Sequence, residues 1–453
     1  MHWLALQQLK SKSARSRQRA VLKLSRAGSP AVVEPLIQAV RDPDAEVRRA
    51  AAEALGEIKD ERAVLPLLNA LSDPTDAVRA ATIDALKRIG SREAIPPLLA
   101  AMEEGHTTLR WRAAQALKSL GWQPRTVTEE TAFFVALGEL ERAAMQGKVA
   151  IAPLAEVLKE SAYQKRVAAV DLLGQIGDSS AVPPLLSALG DTDGLVRRAA
   201  ANALGRLGSK EAIGHLVSTL KDREPNVRAA AASALGLIGG ARAVEPLIQT
   251  LKDEHWEVRS EALEALGRLK DPRATEPMLA GLADPDKEVR QQAADALGEL
   301  GAPAALDRLV LALVDGDSAV RQAAARALTK LDPCWERSPL ARHAAEALQA
   351  ALKHPDYGVQ YAAGEVLRRL GVGGTAPAPS GLASGAGPGR LQVALQALLE
   401  MLEDADPDLR QAAVESLGRT GDKAAREKVA AAAATDPDPG VREAAAKALE
   451  FLR

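Results

Sequence analysis

The stretch from Asp284 to Gly301, DPDKEVRQQAADALGELG, returns along the whole chain, and this recurrence limits the possible folds more than any other feature. Each copy reads as a turn followed by one capped helix. Asp286 is placed as an N-cap acceptor for the free amides of the first turn, and Glu288 lies where the helix dipole favours negative charge. Gly301 closes the helix in the left-handed conformation. Val289, Ala293, Ala296, Leu297 and Leu300 recur at three-to-four-residue spacing and make one apolar stripe, leaving Lys287, Gln291, Asp295 and Glu299 on other faces. A helix this short and this rich in alanine cannot bury its stripe alone, so its neighbours must be further copies.

With the valine of the VR pair as marker, the copies fall at Val47, Val78 and Leu109, then at Lys165, Val196, Val227, Val258, Val289 and Val320, then at Val359, Leu409 and Val441. Within the first two runs every step is 31 residues. The residue after the marker is basic except at Gln360, and an acid stands five before it except at His354, in the same copy. That acid and base depart together predicts that the two positions pair, as a ladder between adjacent units. Ahead of each such helix lies a second apolar segment, such as AVVEPLIQAV at 31 or AVEPLIQTL at 243. Its recurring proline (Pro35, Pro66, Pro97, Pro153, Pro184, Pro246, Pro277) fits the first turn of a helix but not its interior. The expectation is an all-α fold, a right-handed α-solenoid of about thirteen helical hairpins with a 31-residue period.

Composition agrees with thin stacked layers. Only 2% of the 453 residues are aromatic, too few for one deep core. A formal charge of -2 gives no general attraction to nucleic acid or anionic membrane. One cysteine, Cys334, excludes an internal disulfide framework and fits a reducing, cytoplasmic setting. No stretch reaches eighteen uninterrupted apolar residues, and the basic residues of MHWLALQQLKSKSARSR follow its apolar segment, so neither a membrane span nor a signal peptide is expected.

The pattern DPxxxVRxxAAxALGxLG with AVxPLxxAL resembles the HEAT-like repeats of the phycobilisome-lyase type, a broad bacterial and archaeal class related to eukaryotic HEAT repeats. The resemblance covers nearly the whole chain and implies the solenoid fold. Its functional implications diverge: the class holds bilin chromophore lyases, deoxyhypusine hydroxylases, a DNA glycosylase branch and many adaptors.

Three interruptions divide the repeats. Residues 121–148 form an insertion in which Thr126 and Glu129 stand in capping-box spacing, followed by two short helices broken at Gly138. Phe133 and Phe134 either plug this insertion or form a partner patch. The segment LDPCWERSPLARH lengthens the step after Val320, and residues 371–390, rich in Gly, Ala, Pro and Ser, read as a flexible loop. The expected organisation is therefore repeats over 1–120, the insertion at 121–148, repeats over 149–370, the loop at 371–390 and a final pair of repeats over 391–453.

Nothing in the sequence assembles a catalytic or metal centre. The six histidines are scattered, and none precedes a glutamate, whereas the resemblance implies several His-Glu pairs for a di-iron hydroxylase. No HExxH, CxxC, GxSxG or phosphate-cradling run occurs, so no cofactor is expected. If second helices line the concave side, the row six past the marker, which includes Glu53, Asp84, Asp295 and Arg326, is mixed and mostly acidic. Bases four further on answer several of these acids within the same helix: Asp84 with Arg88, Glu264 with Arg268, Glu365 with Arg369, Glu415 with Arg419. Such a face is a poor track for phosphates. Aromatics break the row: Trp111 and Tyr361 two past the marker, and Tyr163, Trp256 and Tyr357 two before it. With Arg49, Arg198, Asp295 and Arg326 they are candidate anchors for a partner, the alternative being that the aromatics cover inserts and loops. The reading is a non-enzymatic scaffold that binds a partner protein on its concave face. The two competing classes are a bilin-lyase-like accessory and a nucleic-acid-binding protein.

Overall fold

Most of the described hairpins are built by the same local rules. In the computed structural model, which describes residues 2–104, 106–372, 395–396, 398–404, 407–420 and 423–452, a 3-10 turn such as Glu61–Ala63 leads into a short first helix, Val64–Ala70, and then a longer second helix, Asp76–Ile89. The recurrent proline sits inside the first helical turn: Pro66 follows Val64 and Leu65, and Pro246 follows Val244 and Glu245. The second helix opens on an aspartate cap, Asp286 accepting the Glu288 amide, and ends at Gly301 with φ 74°. Among the described residues there is no strand, and the chain is an all-α solenoid of helical hairpins. The 3-10 turn is the one regular element that the apolar pattern does not announce, because its three residues are too few to show a period.

The chain divides into two compact units, Met1–Ala188 and Leu189–Arg453. In the first, a continuous core runs from Ala5 to Ala143 through Leu36, Leu55, Leu67, Leu86, Leu98 and Leu117. The insertion joins it. Thr126 and Glu129 form the anticipated capping box, Val127–Leu137 ends at Gly138, and Leu140–Ala144 follows. Phe133 and Phe134 are buried, Trp122 meets Phe133 edge-on at 5.3 Å, and Arg142 lies 4.1 Å from the Phe134 ring centre. They plug the insertion.

In the second unit the helices Gly194–Leu207, Pro225–Ile238, Trp256–Leu269, Lys287–Leu300 and Ser318–Leu331 pack in sequence order. Their spacing is set by glycine. A Cβ at Gly205, Gly236, Gly267 or Gly298 would stand 2.9, 2.7, 3.0 or 2.9 Å from Ala234, Ala265, Ala296 or Ala327 of the next helix. Gly56 against Ala85 in the first unit and Gly418 against Ala448 near the end of the second repeat the arrangement, at 2.6 and 2.8 Å. After Ser318–Leu331 the added segment folds over as a 3-10 turn, Trp335–Arg337, whose buried Trp335 ring is covered by Arg369 at 4.9 Å. The expected loop at 371–390 lies, but for residues 371 and 372, outside the described residues.

Candidate partner-binding face

The ladder expected from the sequence is present and holds successive hairpins in register. Among the described residues, Arg17, Arg48, Arg197, Arg228, Arg259, Arg290 and Arg410 each grip an aspartate of the next copy with two parallel bonds, Nε to Oδ2 and Nη2 to Oδ1, at 2.7–3.0 Å. The partners are Asp42, Asp73, Asp222, Asp253, Asp284, Asp315 and Asp436, 25 or 26 residues on. The remaining nitrogen, Nη1, donates back into the turn of the same copy, as Arg228 does to the Asp222 carbonyl at 3.0 Å. Each aspartate also accepts the amide two residues on, Asp253 from His255 at 3.0 Å. One fork therefore fixes two turns at once.

Burial works against ionisation of Asp42, Asp73, Asp222 and Asp253, but the arginine and backbone bonds outweigh it and hold these carboxyls below their usual range. For Asp436 the Arg410 bond is the largest influence, in the same direction. Carboxyls depressed in the folded chain contribute stability above the unfolded value of about 4, which is lost as pH falls through the lower folded values. The thermal midpoint is thus expected to stay level between about pH 7 and 5 and to drop below about pH 4. A decline already complete by about pH 5 in a circular-dichroism melt series would contradict this assignment.

The exceptional copy keeps the turn and loses the clamp. His354 Nδ1 accepts the Asp356 amide at 3.1 Å, as the aspartates do, and Gln360 Nε2 donates to the His354 carbonyl at 2.5 Å. Neither residue carries the charge for a rung. Arg321 turns instead to Asp404, 3.6 Å away, past the intervening copy.

On the second-helix face most charges are already answered. Asp295 and Arg326 pair across neighbouring helices at 3.0 Å, and Glu299 meets Lys330 in the same way. Arg49 is held by Glu46 and Glu53 on its own helix, while Arg198 is exposed. Of the pairs expected within one helix, Glu264 with Arg268 is present. Asp84 instead takes Arg112 from the following helix, Glu365 is buried and bonds Arg368, and Arg369 reaches Glu336. Spacing alone cannot separate partners four residues away from those about 31 away, because both lie on the same face.

The aromatic candidates part company. Trp111 is 47% exposed, Trp256 40% and Tyr163 38%; Trp256 and Tyr163 open their second helices, and Trp111 stands one turn into Thr107–Ser119. Tyr361 corrects the sequence expectation: it is 4% exposed, packs with Leu398, Met401 and Leu417, and its hydroxyl lies 3.1 Å from Ser416 Oγ. The position two past the marker is half-buried or exposed in the regular copies, but across the 50-residue step the C-terminal hairpins cover it. The side chains of Tyr357, Glu104 and Arg419 lie outside the described residues. The glycine row is the structural feature that sequence reasoning passed over. Its signal was the ALG triplet at a fixed place in the copies that stack most closely.

Six stretches, 4–77, 64–129, 151–223, 215–284, 275–368 and 390–453, match the family model for HEAT repeats. The chain belongs to the HEAT-repeat family. Among curated proteins no match was found. Solved structures similar to this HEAT-repeat chain include importin beta, at 15% identity over 100% of this chain and 72% of that one, with a TM-score of 0.39. Human deoxyhypusine hydroxylase is 22% identical over 59% of this chain and 96% of that one, with a TM-score of 0.25. An engineered protein is 23% identical over 82% and 99%, with a TM-score of 0.28. Among the described residues of these HEAT repeats, no three His, Cys, Asp or Glu side chains group as metal ligands. No helix there is long and apolar enough to cross a membrane.

Proposed function

We propose that this HEAT-repeat chain is a non-enzymatic scaffold that binds a partner protein on its second-helix face. The observation that carries the reading is the contrast between that face's charges and its aromatics. Asp295, Arg326, Glu299 and Lys330 satisfy one another across helices, which makes that part of the face a poor phosphate track. Trp111 and Trp256 stand exposed on second helices, where a rigid indole adds contact area at little entropic cost. A preformed repeat surface gathers such contacts without ordering a loop first.

Affinity capture from the native cell with the parent protein and the Trp111→Ala, Trp256→Ala double variant tests this. An anchor of about 2 kcal/mol predicts that each truncation weakens retention of a captured protein by more than tenfold. Retention unaltered in the double variant would remove both tryptophans as anchors. Recovery of nucleic acid alone, released by salt, would replace the partner class.

A further inference from the structure

The first hairpin gathers positive charge and leaves most of it unanswered. Lys10, Lys12, Arg15, Arg19, Lys23 and Arg26, together with the ladder residue Arg17, all precede Glu34, the first acid of the sequence. Seven positive charges here and a total of -2 leave the other residues at -9. Arg17 is taken by Asp42. The other six are exposed, and among the described residues none of them meets a carboxylate. On the second-helix face further on, by contrast, Asp295 and Arg326 or Glu299 and Lys330 neutralise each other.

The helix Ala14–Ser25 sets these charges in order. Arg15, Arg19 and Arg26, with Leu22 among them, recur at three-to-four-residue spacing along one side, a strip about 16 Å long at the usual helical rise. Arg19 and Lys23 take the places that Ala50 and Ala54 hold in the following second helix, Ala45–Ile58, where both alanines are buried. The short helix His2–Gln8 adjoins the strip: Lys23 Nζ donates to Gln8 Oε1 at 3.1 Å, and Leu4 stands one turn before Gln8 on the same side. Leu4 is 58% exposed, Trp3 71%, and Leu22 is exposed as well. A surface shaped only for solubility mixes its signs and keeps large apolar side chains covered. This one has a single sign and three bare apolar groups.

We propose that the first hairpin docks on an anionic lipid surface, its six cations against the headgroups and Trp3, Leu4 and Leu22 at the boundary between headgroups and acyl chains. Clustered lysines and arginines supply the attraction, and exposed Trp and Leu supply the apolar contact that holds a peripheral anchor. An indole suits that boundary because its body is apolar and its N–H can stay wet. Two other polyanions fit less well. A single nucleic-acid strand is held by cations interleaved with flat rings on which bases stack, whereas two of the three apolar groups here are leucines. An acidic protein segment needs a recess, and the groove of about 480 Å³ at this hairpin, between Leu6, Leu9, Pro35 and Ala39, is edged by Glu34 and Asp42 as well as Lys10. A lipid surface needs no recess, and the negative charge of the remaining residues favours contact through this hairpin. The inference is separate from the partner-protein reading, whose Trp111 and Trp256 lie outside the first hairpin.

The test is co-sedimentation of the full chain with vesicles of phosphatidylcholine alone and of equimolar phosphatidylcholine and phosphatidylserine. Retention is expected on the anionic vesicles only, and it should fall at least tenfold between about 0.05 M and about 0.2 M salt. The triple variant Arg15→Gln, Arg19→Gln, Arg26→Gln should bind about a hundredfold more weakly. Trp3→Ala with Leu4→Ala should weaken binding about tenfold and keep its salt dependence. A second triple variant, Lys210→Gln, Arg242→Gln, Lys252→Gln, removes as much charge from exposed sites elsewhere and should bind like the parent. Equal retention on both kinds of vesicle, equal weakening by the two triple variants, or a salt-released complex with single-stranded RNA in place of vesicle binding would each overturn the proposal. The two charge variants decide the matter even where Trp3→Ala with Leu4→Ala unravels the short helix. Vesicle binding that fails while partner capture through Trp111 and Trp256 persists sinks this inference and leaves the scaffold reading standing.

Discussion

Gly236→Val is expected to lower the unfolding free energy by about 3 kcal/mol, the upper end of what overpacking costs, although valine is the better helix former. The sign follows from distance. A Cβ at Gly236 would sit 2.7 Å from both Cα and Cβ of Ala265, and a helix backbone cannot move aside as a flexible side chain can. The gain from replacing a helical glycine, about 0.5 kcal/mol or less for a β-branched residue, is far too small to offset such a contact. Because each repeat leans only on its neighbours, the damage should be local. Amide exchange should rise first in Pro225–Ile238 and Trp256–Leu269. Gly214→Ala is the control: it also lies in a helix, Ile213–Thr219, but an added Cβ meets nothing within 4 Å. That change should be neutral or stabilising by up to about 1 kcal/mol. Equal urea midpoints for the two variants would show that glycine does not set the helix spacing.

Arg228→Ala should cost about 2–3 kcal/mol, somewhat less than a fully buried pair because the fork keeps one edge near solvent. The loss has two parts. Asp253 would remain mostly covered without its counter-charge, and the Asp222 carbonyl would lose the Nη1 bond that ties one turn to the next. Arg228→Lys should recover only a fraction, since an ammonium cannot form two parallel bonds to a carboxylate and also reach the carbonyl. Adding Asp253→Asn to Arg228→Ala should restore part of the loss: the amide oxygen still accepts the His255 amide, and no buried charge is left. A double-mutant cycle measured by urea unfolding gives the coupling, and a value near zero would make the ladder an ornament of the surface.

What is legible in the sequence follows the period. The caps at Asp286 and Gly301, the proline recurring in many of the first helices, the capping box at Thr126 and Glu129 and the arginine–aspartate ladder are local or repeated, so one good copy teaches most of the others. The joint absence of acid and base at His354 and Gln360 even exposed the ladder's logic. The face was less legible. Asp84 and Arg88 look like a pair four residues apart, yet Asp84 is taken by Arg112, because a neighbouring helix brings other charges equally close.

The sequence by itself determined the hairpin, its caps and the pairing rule that stacks one copy on the next, since each depends on residues at fixed separations. Only the tertiary structure decided which copies stack closely, because a helix-interior glycine looks like a mere propensity penalty until Ala265 is seen 2.7 Å from where its Cβ would be. Only the tertiary structure could bury Tyr361 while leaving Trp111 exposed at the same position of the repeat. Where a 50-residue step breaks the period, what covers a side chain is set by packing across the interruption, and no spacing along the chain encodes it.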